Sequence, residues 1–206
     1  FQMYAANRGR PAFNLQRQDI KKAAYAILSG EELPKNLVVV EHPPLVDSLS
    51  FSLVVNHHHD ILISKTDNGI SKYLQKLHNG FAKYFNLKHH RQTAIFARPY
   101  KIIPIKNEFQ LYAVLRYVNV KNPLDVYQPN WITTGLKNEK EALAFLHNYR
   151  FSSFPDLFGE RSSKILAPSS TLEQYLGEKS TRKEFTEFIK DYLQKNLIHL
   201  EPFFLE

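Results

Sequence analysis

Three consecutive histidines, His57-His58-His59, stand between two apolar runs, Phe51-Ser52-Leu53-Val54-Val55 and Ile61-Leu62-Ile63. Side chains alternate faces along a strand, so His57 and His59 share one face and His58 takes the other. Two imidazoles on one face can ligate a single metal ion. A His-x-His pair more often sits on a surface with no ligand. Imidazoles embedded in an apolar strand nonetheless need a polar partner, and a metal supplies one. His58 reads as a core or rim histidine with a hydrogen-bond partner. A second candidate is Tyr117, in Arg116-Tyr117. A helical tyrosine suits a core, its commoner role. As a nucleophile toward a phosphodiester it needs a metal or base nearby, because a phenol has a pKa near about 10. A two-histidine metal site could also polarise the scissile phosphate.

Basic residues recur from Lys88 through Arg91, Arg98 and Lys101 to Lys106, interleaved with Phe96 and Tyr100. That alternation suits a strand that grips phosphates and stacks on bases, and equally a solvated edge strand. Asn7-Arg8-Gly9-Arg10 is similar: a polar turn or a phosphate contact.

These residues need elements to position them. Phe1 to Ala6 reads as a short strand, and Asp19 to Leu28 as a helix stopped at Gly30. Leu37 to Val40 is a β-branched run. Val46 to Val55 reads as a strand, with His57 to Ser64 as its continuation or hairpin partner. Ile70, Tyr73, Leu74, Leu77, Phe81, Tyr84 and Phe85 recur at helical spacing and form the clearest helix of the chain. Thr93 to Ile105, interrupted by Pro99 and Pro104, reads as an edge strand. Asn107 caps a helix from Glu108 to about Val120, ended by Asn122-Pro123. Residues 124–136 read as loop, Glu139 to Tyr149 as helix and 152–170 as irregular. Two helices follow, near 171–176 and 181–195.

Composition sets the outer limits. At 206 residues and 43% hydrophobic, the chain can build a real core, and 13% aromatic residues argue against disorder. The chain has no cysteine, which excludes disulfides and thiolate zinc sites and leaves N and O ligands. The formal charge of +7 favours a polyanionic partner such as nucleic acid. No stretch is apolar enough to span a bilayer and no signal segment opens the chain, so a cytoplasmic, nucleoid-associated protein is expected.

The ordered motifs resemble the REP-associated tyrosine transposases, of the single-tyrosine HUH (His–hydrophobic–His) endonuclease class within the IS200-like transposase family. The matching segments, in chain order, begin with Tyr4-Ala5-Ala6-Asn7-Arg8-Gly9 and Val54-Val55-Asn56-His57-His58-His59-Asp60-Ile61-Leu62-Ile63. Tyr84-Phe85-Asn86, Phe96 to Lys101, Arg116-Tyr117 with Asn122-Pro123, and Phe151-Ser152-Ser153-Phe154 follow. The resemblance covers roughly residues 1–165. It implies an α+β, ferredoxin-like (RRM-like) antiparallel sheet with helices on one face, as a core over 1–125. Residues 126–206 would form a C-terminal helical extension packed on or beside it. The resemblance also implies a metal-dependent endonuclease and strand transferase that cuts single-stranded DNA beside a hairpin, as in repetitive extragenic palindromes. Tyr117 would form a 5′-phosphotyrosine and free a 3′-hydroxyl. His57 and His59 would hold Mg²⁺ or Mn²⁺, with oxygens completing the shell. Asn7, Arg8, Arg91, Arg98, Lys101, Arg116 and Lys121 would contact the DNA, with a homodimer as the assembly to test.

The chain departs from that pattern in places. His58 stands where the family usually has an aliphatic residue, and Val55 where it commonly has proline. The third ligand is usually an Asn or Gln one turn beyond the tyrosine. Here Lys121 falls at that position and a one-residue insertion leaves Asn122 as the choice, with Asn119 behind it. Lys121 could instead neutralise phosphate charge. Two other readings stand beside the enzyme: a domesticated hairpin-DNA-binding protein that does not cut, and a metal-binding structural protein with no nucleic-acid role.

Overall fold

The computed structural model describes residues 1–12, 14–34, 42–96, 100–176 and 187. The expected run at 37–40, the helix near 181–195 and Arg98 lie outside them. The described residues are mostly helical, with a small two-stranded antiparallel sheet, an α+β composition. The chain forms two compact units. One comprises Phe1–Ser48, Leu62–Ile103 and Arg161–Leu166; the other comprises Leu49–Ile61, Pro104–Glu160 and Ala167–Glu206.

In the first unit, helix α1 (Gln2–Arg8) packs on α3 (Gly69–His89). Residues 1–6 are thus mainly helix, where strand was expected. Gln, Met and Ala are good helix formers, and a run of six residues is too short for periodicity to decide. Contact with α3 then buries Met3, Ala5 and Ala6. Gly80 of α3 marks a close approach: a Cβ there would lie 2.4 Å from the Pro11 Cβ. Helix α2 (Gln18–Ser29) buries Ile20, Ala23, Ala26 and Ile27, and ends at Gly30 in the left-handed region, φ 77°. The described parts of 93–105 hold no strand, contrary to expectation. Pro104 offers no ladder donor, and Tyr100 donates from its hydroxyl to Ser71 Oγ on α3 (2.9 Å).

The second unit is built on strand β1 (Val46–Leu53), whose last five residues belong to it, and the first residues of β2 (His58–Ser64). The two strands form a hairpin closed by Val54 N–H donating to the His57 carbonyl (3.0 Å). The opposite edge of β1 is covered by residues 151–153. Leu53 N–H donates to the Phe151 carbonyl, Ser153 N–H donates to the Phe51 carbonyl, and Ser52 bridges Ser152. Helix α4 (Glu108–Arg116) starts at Asn107, whose Oδ1 accepts from Gln110 N–H (2.8 Å). It passes through a π-helical turn, Tyr117–Lys121, straight into α5 (Asn122–Tyr127). Asn122-Pro123 therefore does not end the helix. Pro123 follows directly on the π turn, where the hydrogen-bond register has already shifted. Helices α6 (Trp131–Thr134), α7 (Glu139–Asn148), α8 (Phe154–Leu157) and α9 (Ser169–Leu176) complete the unit. Its core is Phe51, Leu115, Val118, Val120, Leu124, Trp131, Leu146 and Phe154.

Candidate metal and nucleophile site

His57, His59 and Tyr117 come together in the second unit. The rings of His57 and His59 lie edge to face, 5.0 Å between centroids, and His59 meets Tyr117 in the same way at 5.2 Å. His57 lies in the turn that closes the hairpin and His59 in β2 itself, and the helix starting at Asn107 brings the phenol to them. Asn56 Oδ1 accepts from His57 Nδ1 (2.7 Å). That hydrogen bond fixes the tautomer and leaves the Nε2 lone pair for a ligand. His59 Nε2 is buried and has no hydrogen-bond partner among the described residues.

Both rings are held neutral, as metal ligation requires. Burial, then the charges of His57 and His58, pushes the His59 pKa down to about 4, with Asp60 opposing. Burial followed by the Lys121 ammonium lowers His57 as well. His58 behaves differently. Burial would depress it, but the Asp60 carboxylate, hydrogen-bonded at 2.7 Å, outweighs burial and raises its pKa. It is the half-buried histidine with a partner that the sequence suggested.

The donor set fits a divalent ion that accepts imidazole. Among the described residues no three His, Cys, Asp or Glu side chains group together, so amide, phosphate or water oxygens would complete the shell. Asn119 is spent elsewhere. Its Nδ2 donates to Ser50 Oγ and the Leu115 carbonyl (both 2.8 Å), and its Oδ1 accepts from Ser153 Oγ (2.6 Å). Asn122 is buried, with no partner for its Nδ2 among the described residues. In the π turn Asn122 N–H donates to the Tyr117 carbonyl, so one turn beyond Tyr117 is five residues on, at Asn122. Lys121 faces the site, its Nζ 5.3 Å from the Tyr117 ring centroid and 2.9 Å from Asp125 Oδ2.

The expected DNA contacts fare unevenly. Asn7 is buried and structural: Oδ1 accepts from Leu45 N–H (2.8 Å) and Val46 N–H (3.0 Å), and Nδ2 donates to the Val46 carbonyl (2.9 Å). Its Oδ1 is committed twice and its Nδ2 once, all to the backbone of Leu45 and Val46. Arg116 is 3% exposed, which removes it from any surface contact. Arg8 is half-buried over the Tyr4 ring, while Arg91 and Lys101 are exposed.

Two features went unread in the sequence. One is Asp125, although Lys121 and Asp125 at i, i+4 are a recognisable helical pair. The other is the buried Ser50–Asn119–Ser153 network, which no local pattern announces. Comparison of the chain with protein-family models, curated proteins and solved structures finds no match.

Proposed function

We propose that this chain is a metal-dependent, single-strand-specific DNA endonuclease and strand transferase of the single-tyrosine HUH kind, acting beside DNA hairpins on a ferredoxin-like core. The observation that carries the reading is the meeting of Tyr117 with His59 and His57. These groups come from distant parts of the sequence, and the two histidines are neutral, one with an unspent buried nitrogen. Mg²⁺ or Mn²⁺ on His57 and His59, with Asn122 as the third protein ligand, would polarise the scissile phosphate. The Tyr117 oxygen, losing its proton, attacks phosphorus. The P–O bond to the 3′-oxygen breaks, leaving a 5′-phosphotyrosine and a protonated 3′-hydroxyl. Lys121, held by Asp125, supplies positive charge beside the phosphate. Such a protein would work in the cytoplasm on the nucleoid. No helix among the described residues is long and apolar enough to cross a membrane.

The test is incubation with hairpin-bearing single-stranded DNA and Mn²⁺. A covalent protein–DNA adduct is expected from the parent chain and none from Tyr117→Phe. An adduct that survives that substitution removes Tyr117 from the role. A second reading, a hairpin-DNA-binding protein that does not cut, draws support from the Lys121–Asp125 pair beside the tyrosine, where the family carries a ligand. Hairpin binding without an adduct, in Mg²⁺ and Mn²⁺ alike, would favour it.

A further inference from the structure

Helix α3 and the segment after it carry a row of aromatic rings that the site above does not use. His89 lies 4.3 Å from Phe85, Phe85 6.0 Å from Phe81, and Phe81 6.1 Å from Phe96. Phe96 stacks on His78 at 4.2 Å, and Tyr100 follows at 6.3 Å from His78. Phe81, Phe85 and His89 are four residues apart and so follow one helix face. The row is not sealed in a core: His89 is exposed, and Phe81 and Tyr100 are each 38% exposed.

The stretch of chain that carries these rings is charged with one sign. Between Asp67 and Glu108 the chain has eight lysines and arginines and no acidic residue. That stretch carries a formal +8 against +7 for the whole chain, so everything outside it nets to −1. The basic groups also touch the aromatic ones: the Arg91 guanidinium lies 5.8 Å over Phe85, and Lys88 Nζ lies 5.8 Å over Tyr84. Beside the row, Lys83 and Arg91 help line a groove of about 590 Å³ at the end of α3.

Aromatic faces that accept any base, set among cations that follow a backbone, are what single-stranded nucleic acid needs. A duplex hides its base faces and would gain only the charge. We infer that the face of α3 bearing Phe81, Phe85 and His89, with Arg91, is a stacking platform for single-stranded DNA. The choice of DNA over RNA rests on the function proposed above; the platform itself rests on the rings and the charge.

The test is fluorescence anisotropy with a labelled oligo(dT) and the full chain in EDTA, so that binding is read without cleavage. Phe81→Leu and Phe85→Leu should each weaken binding roughly fivefold or more. Arg91→Gln should flatten the slope of log K against log salt by about 0.7. Leucine keeps the apolar packing, and thermal melts check the fold. Cross-linking from 5-iodouracil-substituted oligo(dT) to the unmodified protein should map to the peptide spanning Phe81 to Tyr100. A duplex that binds as tightly as oligo(dT), or cross-links that map elsewhere, overturns the platform. Tighter binding of oligo(rU) overturns the assignment to DNA. Stacking without a Tyr117 adduct would leave the platform standing and sink the nuclease; an adduct with unchanged binding in both leucine variants would do the reverse.

Discussion

His59 has to stay neutral to hold a metal ion, and its surroundings make it so at a cost in acid. Its folded pKa of about 4 lies below the unfolded value of about 6.5. Between those values the unfolded chain binds the extra proton, so stability falls as pH drops from about 6.5 toward 4. Urea unfolding of metal-free protein across that range should show the loss, and His59→Gln should remove much of it. A flat profile in the parent would mean that the ring is well solvated. His58 runs the opposite way. Its raised pKa gives a contribution that is full below about 6.5 and fades as pH climbs through the folded value. NMR titration should find the His58 pKa lowered in Asp60→Asn, because the hydrogen bond and charge that raise it are gone. The three adjacent imidazoles therefore separate by environment, two held neutral and one readily protonated.

At the scale of elements, the buried Ser50–Asn119–Ser153 network fixes the π turn to strand β1. Asn119→Ala would remove the amide that ties together two serine hydroxyls of 0% exposure, leaving Ser50 and Ser153 bonded to each other and Ser153 to the Phe51 backbone. It should cost about 1–3 kcal/mol, measured by urea unfolding. Tyr117 and Asn122 flank that turn, so the same variant should lose adduct formation beyond its loss of stability. Elements with long, regular periodicity were legible in the sequence: α2, α3, α7 and the two strands, whose pairing as a hairpin was one of two readings left open. The nearness of His57 and His59 was legible from their spacing. The first helix was not, because six residues give no period and its burial comes from α3. Nor was the passage through Asn122-Pro123, because proline reads as a stop unless the turn before it has already shifted the hydrogen-bond register. Asn7 is a related case: nothing local announces that its amide will bond the backbone of Leu45 and Val46, some forty positions away.

For the whole molecule, metal and charge give separate handles. An ion that binds the folded chain alone stabilises it by about 2.7 kcal/mol at a hundred times its Kd. Mn²⁺ should therefore raise the melting temperature of the parent and leave that of the His57→Ala, His59→Ala double variant unchanged. An equal rise in both would place the ion elsewhere. The uneven charge distribution predicts that nucleic-acid binding weakens steeply with salt. The chain's course through its two units has another consequence. It passes from one to the other five times, and both strands of the hairpin contribute residues to each. A single cut cannot release either unit intact, and end-to-end fusion of two ready-made modules could not have produced this arrangement. The protein is divisible on inspection and indivisible as a gene: the residues around Tyr117 and the aromatic row on α3 have to be inherited, expressed and truncated together.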